Sequence, residues 1–313
     1  MRVVHATADV KSGGQPVCLA IGVFDGVHLG HRQVILQAVA DAAGHHGVSA
    51  VITFDRHPAA VLAPAHVPQK IYSMPQKSRA ISALGVDCVC VIHFDKAFSE
   101  ISGEAFVRGL ARDCGQLRSL SVGSTFVFGR RRSGNVALLE AIGKELQFSV
   151  HAVPEVLLDG QPVSSTRVRE AVSAGQLDLA GRMLGRPYTL CGTIIKGKGL
   201  GGQIGVPTAN LDVAGLLVPP PGVYAALATT RGQSYAAAVN VGYRPTLGEA
   251  APRMSVEAHL LEFQGDLYGE ELELAFTQKL RDEKKFPGLA ALRDQIRQDI
   301  TRTRELVGKS HIL

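Results

Sequence analysis

At 313 residues, with 46% hydrophobic and 19% charged side chains, the chain is long enough for two ordinary domains and too apolar to be disordered. Its net charge of +5 suits small anions but is too weak to imply nucleic acid as a partner. The cysteines, Cys18, Cys88, Cys90, Cys114 and Cys191, are odd in number and sit mostly in apolar runs, which argues for reduced thiols in a cytoplasmic protein. Cys88 and Cys90 share one face of a strand without a Cys/His pair at zinc spacing, so they read as small buried hydrophobes. The start lacks the apolar core of a signal peptide, and no stretch is apolar for long enough to span a membrane.

Residues 17–23 form the first predicted strand, and a helix is predicted over 31–43. Between them lies a turn holding Gly22, Phe24, Asp25, Gly26, His28, Gly30 and His31. A strand feeding a Gly-rich turn and then a helix start brings backbone N–H groups and the helix dipole to bear on a phosphate. His28 and His31 add two imidazole donors on one side of the turn. The bland alternative is a Gly-rich loop with two solvent-facing histidines.

Strands follow over 48–54, 88–94, 117–122 and 148–153, alternating with helices over 76–84, 104–113 and 136–144. That rhythm predicts a parallel α/β sheet with helices on both faces, its ligands at the carboxyl ends of the strands. Residues 123–132 occupy such an end. There Arg130, Arg131 and Arg132, flanked by Gly129 and Gly134, read as a solvated loop or as a phosphate contact.

Ser164, Ser165 and Thr166 precede a helical pattern over 166–174, where hydroxyls are ordinary N-cap candidates. With Arg167 and Arg169 they also suit a polyphosphate held opposite the histidine turn. After a further helix over 177–184, residues 185–187 (Gly-Arg-Pro) break the pattern and set a domain boundary near 185. Strands over 188–196, 223–230, 234–241, 254–262 and 271–280, separated by Gly/Pro turns, predict a small antiparallel barrel closed by a helix over 289–305.

In this half, residues 197–202 fit a dinucleotide fingerprint on paper, but Pro207 stands where the helix should run. Gly197, Lys198 and Gly199 instead join Pro207, Thr208 and Asn210 as a flexible loop and a Pro-fixed turn, setting a hydroxyl and an amide beside a phosphate and its metal. Neither element is a Walker A sequence. Glu257 interrupts an otherwise apolar strand, so its carboxylate must face solvent or a polar cavity.

Taken together, residues 22–31 and 164–169 resemble the nucleotidylyltransferase superfamily, specifically the adenylyltransferase module of bacterial bifunctional riboflavin kinase/FAD synthetases. The resemblance implies a nucleotidylyltransferase-type, Rossmann-like α/β domain over 1–184 that passes AMP from ATP to FMN, giving FAD and pyrophosphate. Gly22, Phe24, Asp25, Gly26, His28, His31, Ser164, Ser165, Thr166, Arg167 and Arg169 would then hold the ATP phosphates, His28 and His31 near the α-phosphorus. Phe54 and His57 lie in a segment matching the family's T-F-x-P-H-P, with Arg56 in place of a proline. Thr125, Phe126 and Phe128 match G-x-D/N-F-x-F-G, Thr125 replacing the acid or amide. Phe126 and Phe128 flank a flavin ring or pack in the core; His57 touches ligand or is an exposed turn residue.

Residues 185–300 resemble riboflavin kinase, through the G-x-P-T-A-N signature over 205–210, which implies a riboflavin kinase domain over 185–313. This implies phosphorylation of riboflavin with Glu257 as general base, and Mg²⁺ and ATP phosphates at Thr208 and Asn210. Arg281, Glu283 and Phe286 fall on the flavin side, and Gly202 stands where members often carry Arg. The expected partners are riboflavin, FMN, FAD and ATP, with neither nucleic acid nor membrane, and an oligomer is compatible with the sequence. The alternatives are a chain with only the kinase half competent, or a flavin-binding protein without turnover.

Overall fold

The computed structural model describes residues 1–10, 13–197, 201, 205–244 and 253–310. The chain divides into two compact units, Met1–Pro68 with Met74–Ser165, and Gln69–Ser73 with Thr166–Leu313.

The first unit contains β1 (Arg2–Val4), β2 (Val17–Ile21), α1 (Leu29–Gly44), β3 (Val48–Phe54), α2 (Ala59–Leu62), α3 (Met74–Ser82), β4 (Cys88–Ile92) and α4 (Lys96–Ser99). It continues with α5 (Gly103–Cys114), β5 (Leu117–Gly123), α6 (Val136–Leu146), β6 (Ser149–Val153) and the small pair β7 (Leu157–Leu158) and β8 (Gln161–Pro162). Six strands form one sheet in the order β1-β4-β3-β2-β5-β6, every neighbouring pair parallel. β2 and β4 are buried along their whole length, as strands covered on both faces must be. Leu19, Ile21, Ile52, Cys90 and Leu120 pack on one face with Leu110 of α5 and Leu139 of α6. Ala20, Val51 and Val89 pack on the other with Ile35 of α1 and Ile81 of α3.

The strand order reverses beside β2: the chain steps outward through β3 and β4, then returns to β2's other edge as β5. The carboxyl ends of β2 and β5 therefore bound the crevice where ligands of open α/β sheets bind. Local interactions account for two departures from the sequence expectation. Helix α1 starts at Leu29 because the His28 side chain accepts the His31 N–H and so caps it. β1 escapes any periodicity test, being three residues paired only with β4.

The second unit carries α7 (Ser165–Ser173, whose first residue belongs to the first unit) and α8 (Leu177–Leu184). Then come β9 (Thr189–Ile195), β10 (Ala209–Leu211), β11 (Gly222–Thr230), β12 (Gln233–Arg244), β13 (Arg253–Leu260), β14 (Glu271–Arg281) and α9 (Leu289–Ser310). The strands close a barrel in the order β10-β13-β12-β11-β14-β9, antiparallel throughout. Helix α9 packs on β11, β12 and β14. Segment Gln69–Ser73 belongs with this unit because the Lys70 N–H donates to Gly215, the Leu217 N–H to Lys70, and Arg186 Nε to the Tyr72 hydroxyl.

Candidate functional site

In the first unit the segment from Gly22 to His31 leaves β2 as a tight, buried turn. Phe24 and Val27 are both fully enclosed and both left-handed, with φ of 50° and 42°. Each such residue carries a strain of about 1–3 kcal/mol that the surroundings must hold. Gly26, at φ 80°, supplies the third left-handed position without that cost. Gly22 is required by close approach, since a Cβ there would meet the Phe24 ring at 2.9 Å.

The turn delivers the two histidines together. The His28 ring stacks on His31 with centroids 3.6 Å apart, and the Phe24 ring stands edge-on to His31 at 5.2 Å. His28 Nδ1 accepts the His31 N–H at 3.3 Å. Ser165 Oγ donates to the Asp25 carbonyl at 2.9 Å, so the two sequence motifs meet here. Ser164 is half-buried one residue earlier. Thr166, Arg167 and Arg169 belong to the second unit, where Arg169 Nε donates to the Gln69 carbonyl at 2.8 Å.

Beneath the turn lies a residue that the sequence did not single out. Lys77 of α3 is almost fully buried, and its Nζ donates to the Val23 carbonyl, Thr53 Oγ1 and the Phe54 carbonyl at 3.0–3.1 Å. Thr53 Oγ1 donates to the same Val23 oxygen at 2.9 Å. A helical lysine ordinarily reads as solvated, so only the fold reveals this one.

Val23 and Phe54 also line a cavity of about 360 Å³ whose floor is Ile21 at the end of β2. Phe54, Phe94, Phe98, Phe106, Phe126 and Phe128 stand around it, so six of the chain's 11 phenylalanines gather at one place in a protein without tryptophan. Phe126 and Phe128 are stacked at 5.2 Å and pack against the hydrophobic core, so lining a cavity and packing in the core are here one arrangement. Phe94, Phe98 and Phe106 were not anticipated; their crowding into so short a stretch of a Trp-free chain is the signal. Thr125 is exposed in the turn after β5 and is not on this wall. His57 lies beside it, with Nδ1 accepting the Ala59 N–H at 3.1 Å, while Pro58 faces the cavity.

Asp55 braces the same end of β3 by accepting the Phe94 N–H at 3.0 Å and His93 Nδ1 at 2.6 Å. Burial pushes its carboxyl up, but the Phe94 N–H, His93 and Arg56 outweigh burial and hold it below its usual range.

In the second unit the register of the barrel sets one row of residues across five strands. Asn210 on β10 pairs with Glu257 on β13, which pairs with Asn240 on β12, then Val223 on β11, then Arg281 on β14. Directly paired residues in antiparallel strands share a face. All but Asn210 line a cavity of about 600 Å³, together with Thr208, His259, Glu283 and Phe286. Thr208 Oγ1 lies 3.5 Å from Glu257 Oε2 as a donor, and Asn210 is buried. Gly197 is required here, because a Cβ would run into the Asn210 amide. Lys198 and Gly199, like Gly202, lie outside the described residues.

The far wall of this cavity comes from α9, through Leu292, Arg293, Ile296 and Asp299. Arg281 grips Asp299 through Nε at 3.2 Å to both oxygens and a terminal nitrogen at 2.9 Å, and its guanidinium lies 5.7 Å from the centre of the Phe286 ring. Asn240 Nδ2 donates to Glu283 Oε1 at 3.4 Å. A second cavity, of about 400 Å³, opens on Thr208 from the side of Pro207, Ala209 and residues 263–268. Thr208 borders both cavities.

Comparison with known proteins agrees with this division. Residues 11–167 match the family model described as FAD synthetase, and residues 184–307 the one described as riboflavin kinase. The chain is 36% identical over 311 residues to a bifunctional riboflavin kinase/FMN adenylyltransferase of Pseudomonas fluorescens, covering 99% of each. It is 35% identical over 301 residues to that of Haemophilus influenzae, covering 96% of this chain and 97% of the other. A crystal structure described as a macrolide-efflux protein from Streptococcus pneumoniae superposes with a TM-score of 0.82 at 27% identity, over 96% of this chain and 98% of that one. Among the described residues no helix is long and apolar enough to cross a membrane. With two family models matched in tandem and relatives aligned nearly end to end, the chain belongs to the bifunctional riboflavin kinase/FMN adenylyltransferase family.

Proposed function

We propose that residues 185–313 transfer the γ-phosphoryl group of ATP to riboflavin, and that residues 1–184 transfer AMP from a second ATP to the FMN so formed, giving FAD and pyrophosphate. The observation that carries this reading is that each half sets a flavin-sized cavity beside a group suited to phosphate. Both cavities fall within the ordinary range for small-molecule sites.

In the kinase half the ribityl hydroxyl of riboflavin is a poor nucleophile until its proton is taken. Glu257 is the acceptor for that proton, and strand register sets it between Asn210 and Asn240 in the row. The flavin occupies the cavity bounded by Arg281, Glu283, Phe286 and α9, and the nucleotide the one opening toward residues 263–268. The phosphoryl group then crosses at Thr208, their common wall. The Thr208 hydroxyl and Asn210 amide oxygen are hard oxygen donors beside a carboxylate, and such a set fits magnesium. That ion, when bound, screens the phosphate charge.

In the adenylyltransferase half the acceptor is already an anion, so no strong base is needed. An oxygen of the FMN phosphate attacks the α-phosphorus, the bond to the bridging oxygen breaks, and pyrophosphate leaves. His28 and His31 neutralise charge on the reacting phosphates, while the strained turn fixes their direction. Ser164 and Ser165, in the same unit as the histidines, serve the same triphosphate. The flavin ring lies among Phe54, Phe126 and Phe128. All five cysteines are unbridged and buried, which suits a reducing cytoplasm.

The test is incubation of the chain with riboflavin, ATP and Mg²⁺, following FMN and FAD by chromatography. Both products support the reading; FMN alone removes the front-half assignment, and absence of both removes the whole.

A further inference from the structure

The arginine run after β5 is the one sequence motif that neither half-reaction uses. Arg130–Arg132 forms a single tight turn in which Arg131 and Arg132 are both left-handed, at φ 52° and 59°. Two successive non-glycine residues in that region require a surround that holds them. The surround is a clip. Phe128 and Gly134 exchange backbone hydrogen bonds at 2.9 and 3.0 Å, and the Arg130 N–H donates to Ile101 at 2.8 Å. Gly129 and Gly134 both press so closely on Gly103, the first residue of α5, that no Cβ fits between them, and Ser133 Oγ accepts the Gly103 N–H at 2.9 Å. The tip is thus fixed to the rigid part of the unit at both ends.

What the clip presents is charge on an otherwise uncharged wall. Arg131 and Arg132 are the only ionisable side chains lining the phenylalanine cavity among the described residues. Neither guanidinium makes a hydrogen bond or salt bridge among the described residues, although Arg131 feels the field of Glu100. The rim beside them carries exposed apolar side chains, with Leu62 at 61% and Val127 at 40% exposure. An occupant that satisfies this lining is flat and apolar, with electron-rich oxygens at one edge.

We propose that Arg131 and Arg132 are specificity-determining residues of adenylyl transfer, donating to acceptor oxygens of the bound flavin. This rests on the assignment of the cavity to FMN made above. Such oxygens belong either to the phosphate of FMN or to the pyrimidine carbonyls of the ring, and both take the same bidentate guanidinium donor.

The experiment compares the full chain with Arg131→Gln, Arg132→Gln and the double variant, measuring KM and kcat for FMN in FAD synthesis. Lumiflavin, which has the ring without ribityl or phosphate, serves as a competitive inhibitor, and riboflavin phosphorylation by the same samples reports folding. The expected result is a KM for FMN raised about tenfold or more in the double variant, with kcat changed far less. A lumiflavin inhibition constant that rises in parallel assigns the arginines to the ring; one that stays fixed assigns them to the phosphate. An unchanged KM, or a fall in kcat alone, overturns the proposal. Failure of the unaltered chain to make FAD from supplied FMN would instead count against the function assigned to the cavity.

Discussion

Lys77 Nζ donates to the Val23 carbonyl at 3.1 Å, joining α3 to a residue that belongs to the histidine turn and also lines the phenylalanine cavity. The same ammonium holds Thr53 and Phe54 at the end of β3, so one buried cation sets the spacing of two cavity walls. Replacing it by methionine keeps an unbranched side chain, one atom shorter, and strands the Phe54 carbonyl. Lys77→Met is expected to lower stability of the first unit by about 1–3 kcal/mol, read as a shift in its thermal transition. FAD formation should fall while FMN formation holds; equal losses in both reactions would contradict the local role.

His28 has two duties that separate by substitution. Its ring caps α1, and it stacks on His31 in the turn. Alanine removes both, whereas asparagine is among the best capping residues and restores only the first, worth about 1 kcal/mol. His28→Asn should therefore melt like the parent yet make FAD about 10²-fold more slowly. FMN formation from riboflavin should be unaffected. Undiminished FAD synthesis in the alanine variant would remove His28 from the reaction.

Glu257→Gln keeps the shape of the row and removes the proposed proton acceptor. FMN formation is expected to drop by about 10²–10⁴-fold, the usual worth of a positioned general base. Conversion of supplied FMN to FAD should be unchanged. A kinase rate within a factor of about two of the parent would exclude proton transfer to this group.

Asp299 is 6% exposed in the second unit and anchors Arg281 against α9. Breaking a fully buried pair costs about 3–5 kcal/mol, and less is expected here because the arginine still reaches water. Asp299→Ala should destabilise the barrel by about 2 kcal/mol. Its KM for riboflavin should rise as well, since Arg281 and α9 line the same cavity. A destabilised variant with an unchanged KM would mean that the pair serves only folding.

Asp55 provides a pH prediction. Its folded carboxyl titrates below the unfolded value, so it contributes stability that is fully present above that value, near 4. This contribution is lost as pH falls through the folded value beneath it. The melting temperature of the first unit should therefore differ between the parent and Asp55→Asn at neutral pH. The two should converge on acidification below about pH 4. A constant difference down to pH 3 would show that the carboxylate charge is not what braces Phe94.

Elements of both halves were legible because their residues advertise burial. Val48–Phe54 and Leu177–Leu184 fall where the apolar patterns place them. What escaped the sequence depends on contacts made across it. β10 is three residues long and exists by pairing with β9 and β13 on either side. The turn itself could be read from its glycines and histidines, yet Lys77 beneath it looks like any helical lysine. Glu257 stood out as a charge in an apolar strand, but Asn240 beside it and Val223 beyond that are named only by strand register. The wall from α9 and the clip from Gly129 to Gly134 are likewise invisible until Asp299 meets Arg281 and Gly134 meets Gly103.

The five-strand row also constrains how this chain tolerates insertions. Side chains alternate along a strand, so one extra residue between Met254 and Val256 would turn Glu257 to the opposite face. Every identity in the row would be intact and its chemistry lost. The same insertion in a connecting turn leaves Asn210, Glu257 and Asn240 abreast. In this barrel, counting matters as much as spelling.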